Sequence, residues 1–184
     1  MSANLVAAME QTPDILIVPD KRLRLRARPV LDSDRDRIGN IVSGMFAAMY
    51  RAPGIGLAAP QIGISLRMFV MDLGPDNARE PHVLINPEII AVSQDLATRE
   101  EGCLSLPGQY AEVTRPARIT TVYEDEVGTK RRIEADDLLA ACIQHEIDHL
   151  DGILFIDHLS ALKRNILLRK LAKEQRENRG TRCA

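Results

Sequence analysis

The chain has 184 residues, 45% hydrophobic, 27% charged and 3% aromatic, with a formal net charge of −2. This length suits one domain spanning residues 1–184 with a core of aliphatic side chains, and the balanced charge gives no case for a DNA partner. Three cysteines far apart, no apolar run of membrane-spanning length and no signal-peptide pattern argue against a disulfide scaffold and a membrane protein, and for a soluble cytoplasmic one.

Residues 1–13 show no usable period and read as a loose arm. A short apolar run, Ile15-Leu16-Ile17-Val18, leads to Pro19-Asp20 and a basic segment. Asp32 or Ser33 can cap a helix whose apolar positions Ile38, Ile41, Val42, Met45, Phe46 and Met49 recur at helical spacing. Pro53-Gly54 should end it, because the residue before proline disfavours helical geometry. The next segment, Gly54-Ile55-Gly56-Leu57-Ala58-Ala59-Pro60-Gln61-Ile62-Gly63, leaves little side chain, so something must approach its backbone closely. Its glycines do not match the dinucleotide-binding spacing, and taken alone it reads as a tight turn between packed elements.

Strand signals follow at residues 67–72, 83–85 and 88–92, and residues 117–123 and 130–134 flank a Gly128 turn as a hairpin. A helix is expected from Asp136 to a stop at Gly152, and a last one from Leu159 to about Glu177. The final helix is apolar at Leu162, Ile166 and Leu171. Residues 161–184 carry eight Lys/Arg against two Glu, leaving −8 on the rest of the chain. Strands gathered ahead of one central helix indicate an α+β fold.

Within the central helix lies Gln144-His145-Glu146-Ile147-Asp148-His149-Leu150-Asp151-Gly152, which contains HExxH. His145 and His149 are one turn apart on one face and can reach a single metal ion, with Glu146 placed to move protons. An isolated match is equally compatible with hydrogen-bonded core histidines. The usual downstream third ligand is absent. The position three residues after Gly152 is Phe155, His158 lies too far on, and Glu174 and Glu177 sit in the charged tail. Upstream, Cys103 sits in Glu101-Gly102-Cys103-Leu104-Ser105-Leu106-Pro107-Gly108, a constrained non-helical segment. One thiolate and two imidazoles would leave a position open for water, which fits catalysis better than a closed structural site. Cys142 is an alternative ligand, but its place on the helix points it alongside His145.

GIGLAAPQIG, EGCLS and QHEIDHLDG, in that order and roughly 40 residues apart, resemble the three signature motifs of the peptide deformylases. The resemblance runs from Ile15 to Ser160. It implies an α+β fold in which antiparallel strands wrap around the metal-site helix, with an N-terminal and a C-terminal helix. It further implies that Cys103, His145 and His149 bind the metal, that Glu146 is the catalytic acid/base, and that Gln61 and the Leu104 N–H stabilise an oxyanion. Ile55 and Gly56 would line the substrate groove, Tyr110 would contact substrate, and Leu138, Ala141 and Cys142 would form an apolar methionine pocket. By spacing alone Leu138 and Cys142 are equally core residues.

The implied substrates are N-formyl-methionyl nascent peptides. The implied metal is Fe(II), with Zn, Ni or Co able to substitute, whereas the ligand set by itself suggests Zn. The basic C-terminal helix, residues 160–184, would be a ribosome contact or an ordinary solvated helix. Glu101 is expected to pair with a base such as Arg115, and Asp148 to face away from the metal. Asp137 stands where relatives commonly have glycine. A zinc endopeptidase, a Cys103–His145 thiol hydrolase and a non-catalytic metal-binding module are the competing classes.

Overall fold

The computed structural model describes residues 12–74 and 78–181, with side chains to residue 177. Most of the expected N-terminal arm, and Cys183, lie outside the described residues. Helix α1, Arg35–Arg51, follows a short 3₁₀ turn at Asp32–Asp34. Its Ile38, Ile41, Val42, Met45 and Met49 are buried as their period requires, with Phe46 partly buried. The side chain that fastens its start is Asp34, not Asp32 or Ser33: its carboxylate accepts the Leu31 N–H and both ends of Arg28.

A five-stranded antiparallel sheet has the order β1-β2-β3-β6-β7, with β1 Gly56–Ala58, β2 Met68–Asp72, β3 Pro81–Val92, β6 Arg118–Glu124 and β7 Lys130–Asp136. The two strands expected at residues 83–85 and 88–92 are one strand, β3. Asn86 adopts φ +50 and the pairing slips there, so the Asn-Pro step bends the strand instead of ending it. The glycine-rich segment is also more than a turn, because residues 56–58 form the edge strand β1.

A second, two-stranded sheet pairs β4, Leu96–Cys103, with β5, Leu106–Pro116. This hairpin was not foreseen. Between the sheets runs α2, Asp137–Leu150, whose Ala140, Ile143, Ile147 and Leu150 pack into the core against Phe69, Met71 and Leu84. It touches β1, β2, β6 and β7 of the large sheet and both strands of the small one. Gly152, at φ +74, stops it, since a Cβ there would lie 2.6 Å from the Arg24 carbonyl oxygen.

Helix α3, Ala161–Thr181, closes the chain. Its packed face differs from expectation. Leu162 and Ile166 are exposed, while Leu167, Leu168 and Leu171 pack against Leu106 and Val113 of β5. Among the described residues, no helix is long and apolar enough to cross a membrane.

Candidate metal centre

The β4–β5 hairpin carries the thiol and α2 carries the imidazoles. Gly102 has no side chain because the Tyr110 ring from β5 lies over it; a Cβ would sit 2.5 Å from Tyr110 Cε1. Beyond it the register slips at Cys103, and the irregularity aims the thiol at α2. Cys103 Sγ lies 3.2 Å from His149 Nε2, and the ligand atoms of Cys103, His145 and His149 all lie within 4.8 Å of one another. Cys142 does not join this group. It is buried in the adjacent pocket wall, where burial and the nearby Glu146 carboxylate push its thiol up and keep it protonated.

A neighbour outside the trio holds His145, whereas His149 Nδ1 is buried without a hydrogen-bond partner among the described residues. His145 Nδ1 lies 2.9 Å from Glu101 Oε2, which leaves Nε2 for an ion. Arg115 grips Glu101 with two hydrogen bonds, 2.6 and 3.0 Å, and reaches Asp148 with a third, 2.8 Å. Burial alone would raise the pKa of Glu101, but hydrogen bonds from His145 and Arg115 outweigh it and hold the carboxyl at about 2. The expected Glu101–Arg115 pair is therefore present, and Asp148 points to Arg115 and His158 rather than to the trio. Burial and the surrounding positive charges keep His149 well below its usual pKa, so it stays neutral, the form that binds metal.

Glu146 is 3% exposed, and burial pushes its pKa up to about 7. Its Oε2 has no hydrogen-bond partner among the described residues. Its other oxygen lies against Gly56, where a Cβ would overlap it. Gln61 is also buried, in the 3₁₀ turn Ala59–Ile62. Its Oε1 accepts the Ala58 N–H at 2.8 Å, which turns the amide nitrogen towards Ser105 Oγ, 3.2 Å, and Cys103 Sγ, 3.6 Å. Sequence reasoning missed Ser105 in this role, although it stands inside the EGCLS motif.

These groups border a cavity of about 480 Å³. Ile55, Gly56, Gln61, Cys103, Leu104, Tyr110, Leu138, Ala141, Cys142, His145 and Glu146 all line it, and His149 is buried. Arg99, Glu100 and Gln109 also border it and were not anticipated. A soft thiolate, two imidazoles with at least one fixed in tautomer, and a free carboxylate beside them fit a divalent transition metal with a reactive position.

The polypeptide deformylase family model matches residues 12–165. A peptide deformylase from Bradyrhizobium sp. strain BTAi1 is 52% identical over 165 residues, 87% of this chain and 94% of that protein. One from Methylocella silvestris is 51% identical over 86% of this chain and 83% of that protein. The crystal structure of a Legionella pneumophila peptide deformylase superposes with a TM-score of 0.85 at 45% identity, covering 91% of this chain and 98% of that one. A Synechococcus elongatus peptide deformylase in complex with actinonin gives 0.82 at 44%, covering 88% and 89%. The chain belongs to the polypeptide deformylase family, metal-dependent hydrolases that remove the formyl group from N-formyl-methionyl nascent peptides.

Proposed function

We propose that Cys103, His145 and His149 hold one divalent metal ion and that Glu146 is the acid/base of formyl removal. The observation that carries this reading is the meeting of one thiol and two imidazoles beside a buried carboxyl held at about 7. A bound metal would lower the pKa of a water from 15.7 towards about 7 and polarise the formyl carbonyl. Glu146 takes a proton from the attacking water and returns one to the departing amine nitrogen. The formyl C–N bond breaks, formate carries away the oxygen of the water, and the peptide keeps a free amine. Gln61 Nε2 and the Leu104 N–H donate to the formyl oxygen as negative charge grows on it.

Leu138, Ala141 and Cys142 receive the methionine side chain, while Ile55, Gly56 and Tyr110 flank the peptide backbone. The mixed thiolate–imidazole set accepts Fe(II), Zn, Ni and Co alike, and family resemblance favours Fe(II) as the native ion. Rapid loss of activity in air, spared under nickel, is the expected signature of iron beside a thiolate. Residues 1–184 form one cytoplasmic domain in this reading. Helix α3 would meet the ribosome through Lys163, Arg169, Lys170 and Lys173, all exposed beside Leu162 and Ile166. Deleting residues 161–184 should then abolish co-sedimentation with ribosomes.

The deciding experiment measures formate released from formyl-Met-Ala-Ser. Release should stop with a chelator and resume on adding metal, and actinonin should block it. Unformylated Met-Ala-Ser should remain intact. Chelator-resistant release would instead indicate a thiol hydrolase, and cleavage of the unformylated peptide a protease.

A further inference from the structure

Three inward-facing side chains of β4 each meet α2. Arg99 Nη2 lies 2.6 Å from Asp137 Oδ1, Glu101 Oε2 lies 2.9 Å from His145 Nδ1, and Cys103 Sγ lies 3.2 Å from His149 Nε2. Successive inward residues of a strand are about 6.6 Å apart. The helix advances about 6 Å from His145 to His149 but about 12 Å from Asp137 to His145. Strand and helix therefore part company towards Arg99, and it takes a side chain as long as arginine to bridge them.

The two turns of helix between Asp137 and His145 hold Leu138, Ala141 and Cys142, which face the cavity. Arg99 lines that cavity, and its partner Asp137 stands about two helical turns before His145. Folding stability does not explain the pair. Asp137 adopts φ +46, a region that favours glycine, and Arg99 Nε is buried without a hydrogen-bond partner among the described residues. The two side chains are 40% and 83% exposed, and ion pairs at such exposure add little stability.

We propose that Arg99, held in place by Asp137, is a specificity-determining residue that sets the length of the first side chain the pocket accepts. The proposal rests on the reading of the site given above, in which the methionine side chain enters along Leu138, Ala141 and Cys142. The Arg99 stem then forms the end wall of the pocket, with its guanidinium pinned outside. A side chain one methylene longer than methionine meets that wall.

The test compares kcat/KM for formyl-Met-Ala-Ser with that for the formyl-ethionyl peptide, which differs by one added methylene. The metal-loaded wild type should prefer the methionyl peptide by about tenfold or more. Arg99→Ala should move the two values in opposite directions, down for methionine and up for ethionine, so that the preference nearly disappears. Asp137→Asn keeps the size and the tolerance for this backbone conformation while removing the charge, and should give an intermediate ratio with unchanged metal content. An unchanged ratio in Arg99→Ala, or equal losses on both peptides, overturns the proposal and leaves the reading of the metal site standing. Absence of formate from the wild type with either peptide overturns both.

Discussion

Gln61 and Ser105 meet in a buried contact beside the candidate metal centre, with the Gln61 amide already oriented by the Ala58 N–H. Ser105 Oγ accepts Nε2 at 3.2 Å, and the Ala58 N–H occupies Oε1 at 2.8 Å. The Ser105 N–H also points at Cys103 Sγ, 3.4 Å away. One residue therefore touches both the proposed thiolate ligand and the proposed hydrogen-bond donor. If Gln61 stabilises charge on the formyl oxygen, Gln61→Ala should lower kcat by about 10²–10³ with little change in metal content. Ser105→Ala removes one of the two hydrogen bonds that position the amide, leaving the one from Ala58, and should lower kcat by about tenfold, with KM nearly constant. In a Gln61→Ala background the same Ser105 change should have almost no further effect, a coupling measured by a double-mutant cycle. Additive losses would mean that Ser105 acts independently of Gln61.

Glu101 and Arg115 are buried together, so removing either leaves the other without its principal partner. Arg115→Met should destabilise the fold by about 3–5 kcal/mol, because Glu101 remains as a buried charge. Urea unfolding at constant metal loading measures it. Glu101→Gln retains the shape but weakens the hold on His145 Nδ1, and metal affinity should fall by about 10–100-fold. Competition with a chelator of known affinity reads that loss. A mutant that binds metal as tightly as wild type would remove Glu101 from its role as the support of His145.

Helices α1 and α2 were legible because each buries one periodic stripe, and chemistry at HExxH was legible because one helical turn fixes the distance between His145 and His149. The β4–β5 hairpin was hidden for the opposite reason. Residues 96–103 are half polar on both faces, and the inward positions Arg99, Glu101 and Cys103 serve the site instead of the core. Their partners lie 38, 44 and 46 residues further on, beyond the reach of local pattern. In α3 the stripe was misassigned because apolar residues occupy two faces. Packing against Leu106 and Val113 selected Leu167, Leu168 and Leu171, and left Leu162 and Ile166 in solvent.

Gly56 offers a steric test of where the Glu146 carboxylate must sit. A Cβ at residue 56 would overlap Glu146 Oε1 and lie 3.1 Å from Cys142 Sγ. Gly56→Ala must therefore push Glu146 aside, while the three proposed metal ligands are left untouched. Activity should fall by about 10²-fold or more, as misplaced acid/base groups lose proton transfer, with one metal per chain retained. Glu146→Gln should lose at least as much and also keep its metal. An active Gly56→Ala enzyme would show that the carboxylate works from another position.

Asp34 gives a prediction about acid stability far from the metal centre. Its buried carboxylate takes hydrogen bonds from Arg28 Nη1 and Nη2, each 2.8 Å, and from the Leu31 N–H, 3.0 Å. The Arg28 guanidinium first, and then the Leu31 N–H, hold its pKa well below the usual carboxylate range. In the unfolded chain an aspartate titrates near ~3.9. A carboxyl depressed on folding stabilises the native state fully above that unfolded value, and the contribution fades as pH falls from there through the native pKa. Asp34→Asn should therefore lower the thermal midpoint by a constant amount near neutral pH. The gap from wild type should narrow only once the pH drops below about 4. Melting curves of the two proteins from pH 7 down to the acid transition decide it. A gap that closes already between pH 6 and 5 would exclude Asp34 as its source, because the carboxyl is ionised in both states over that range.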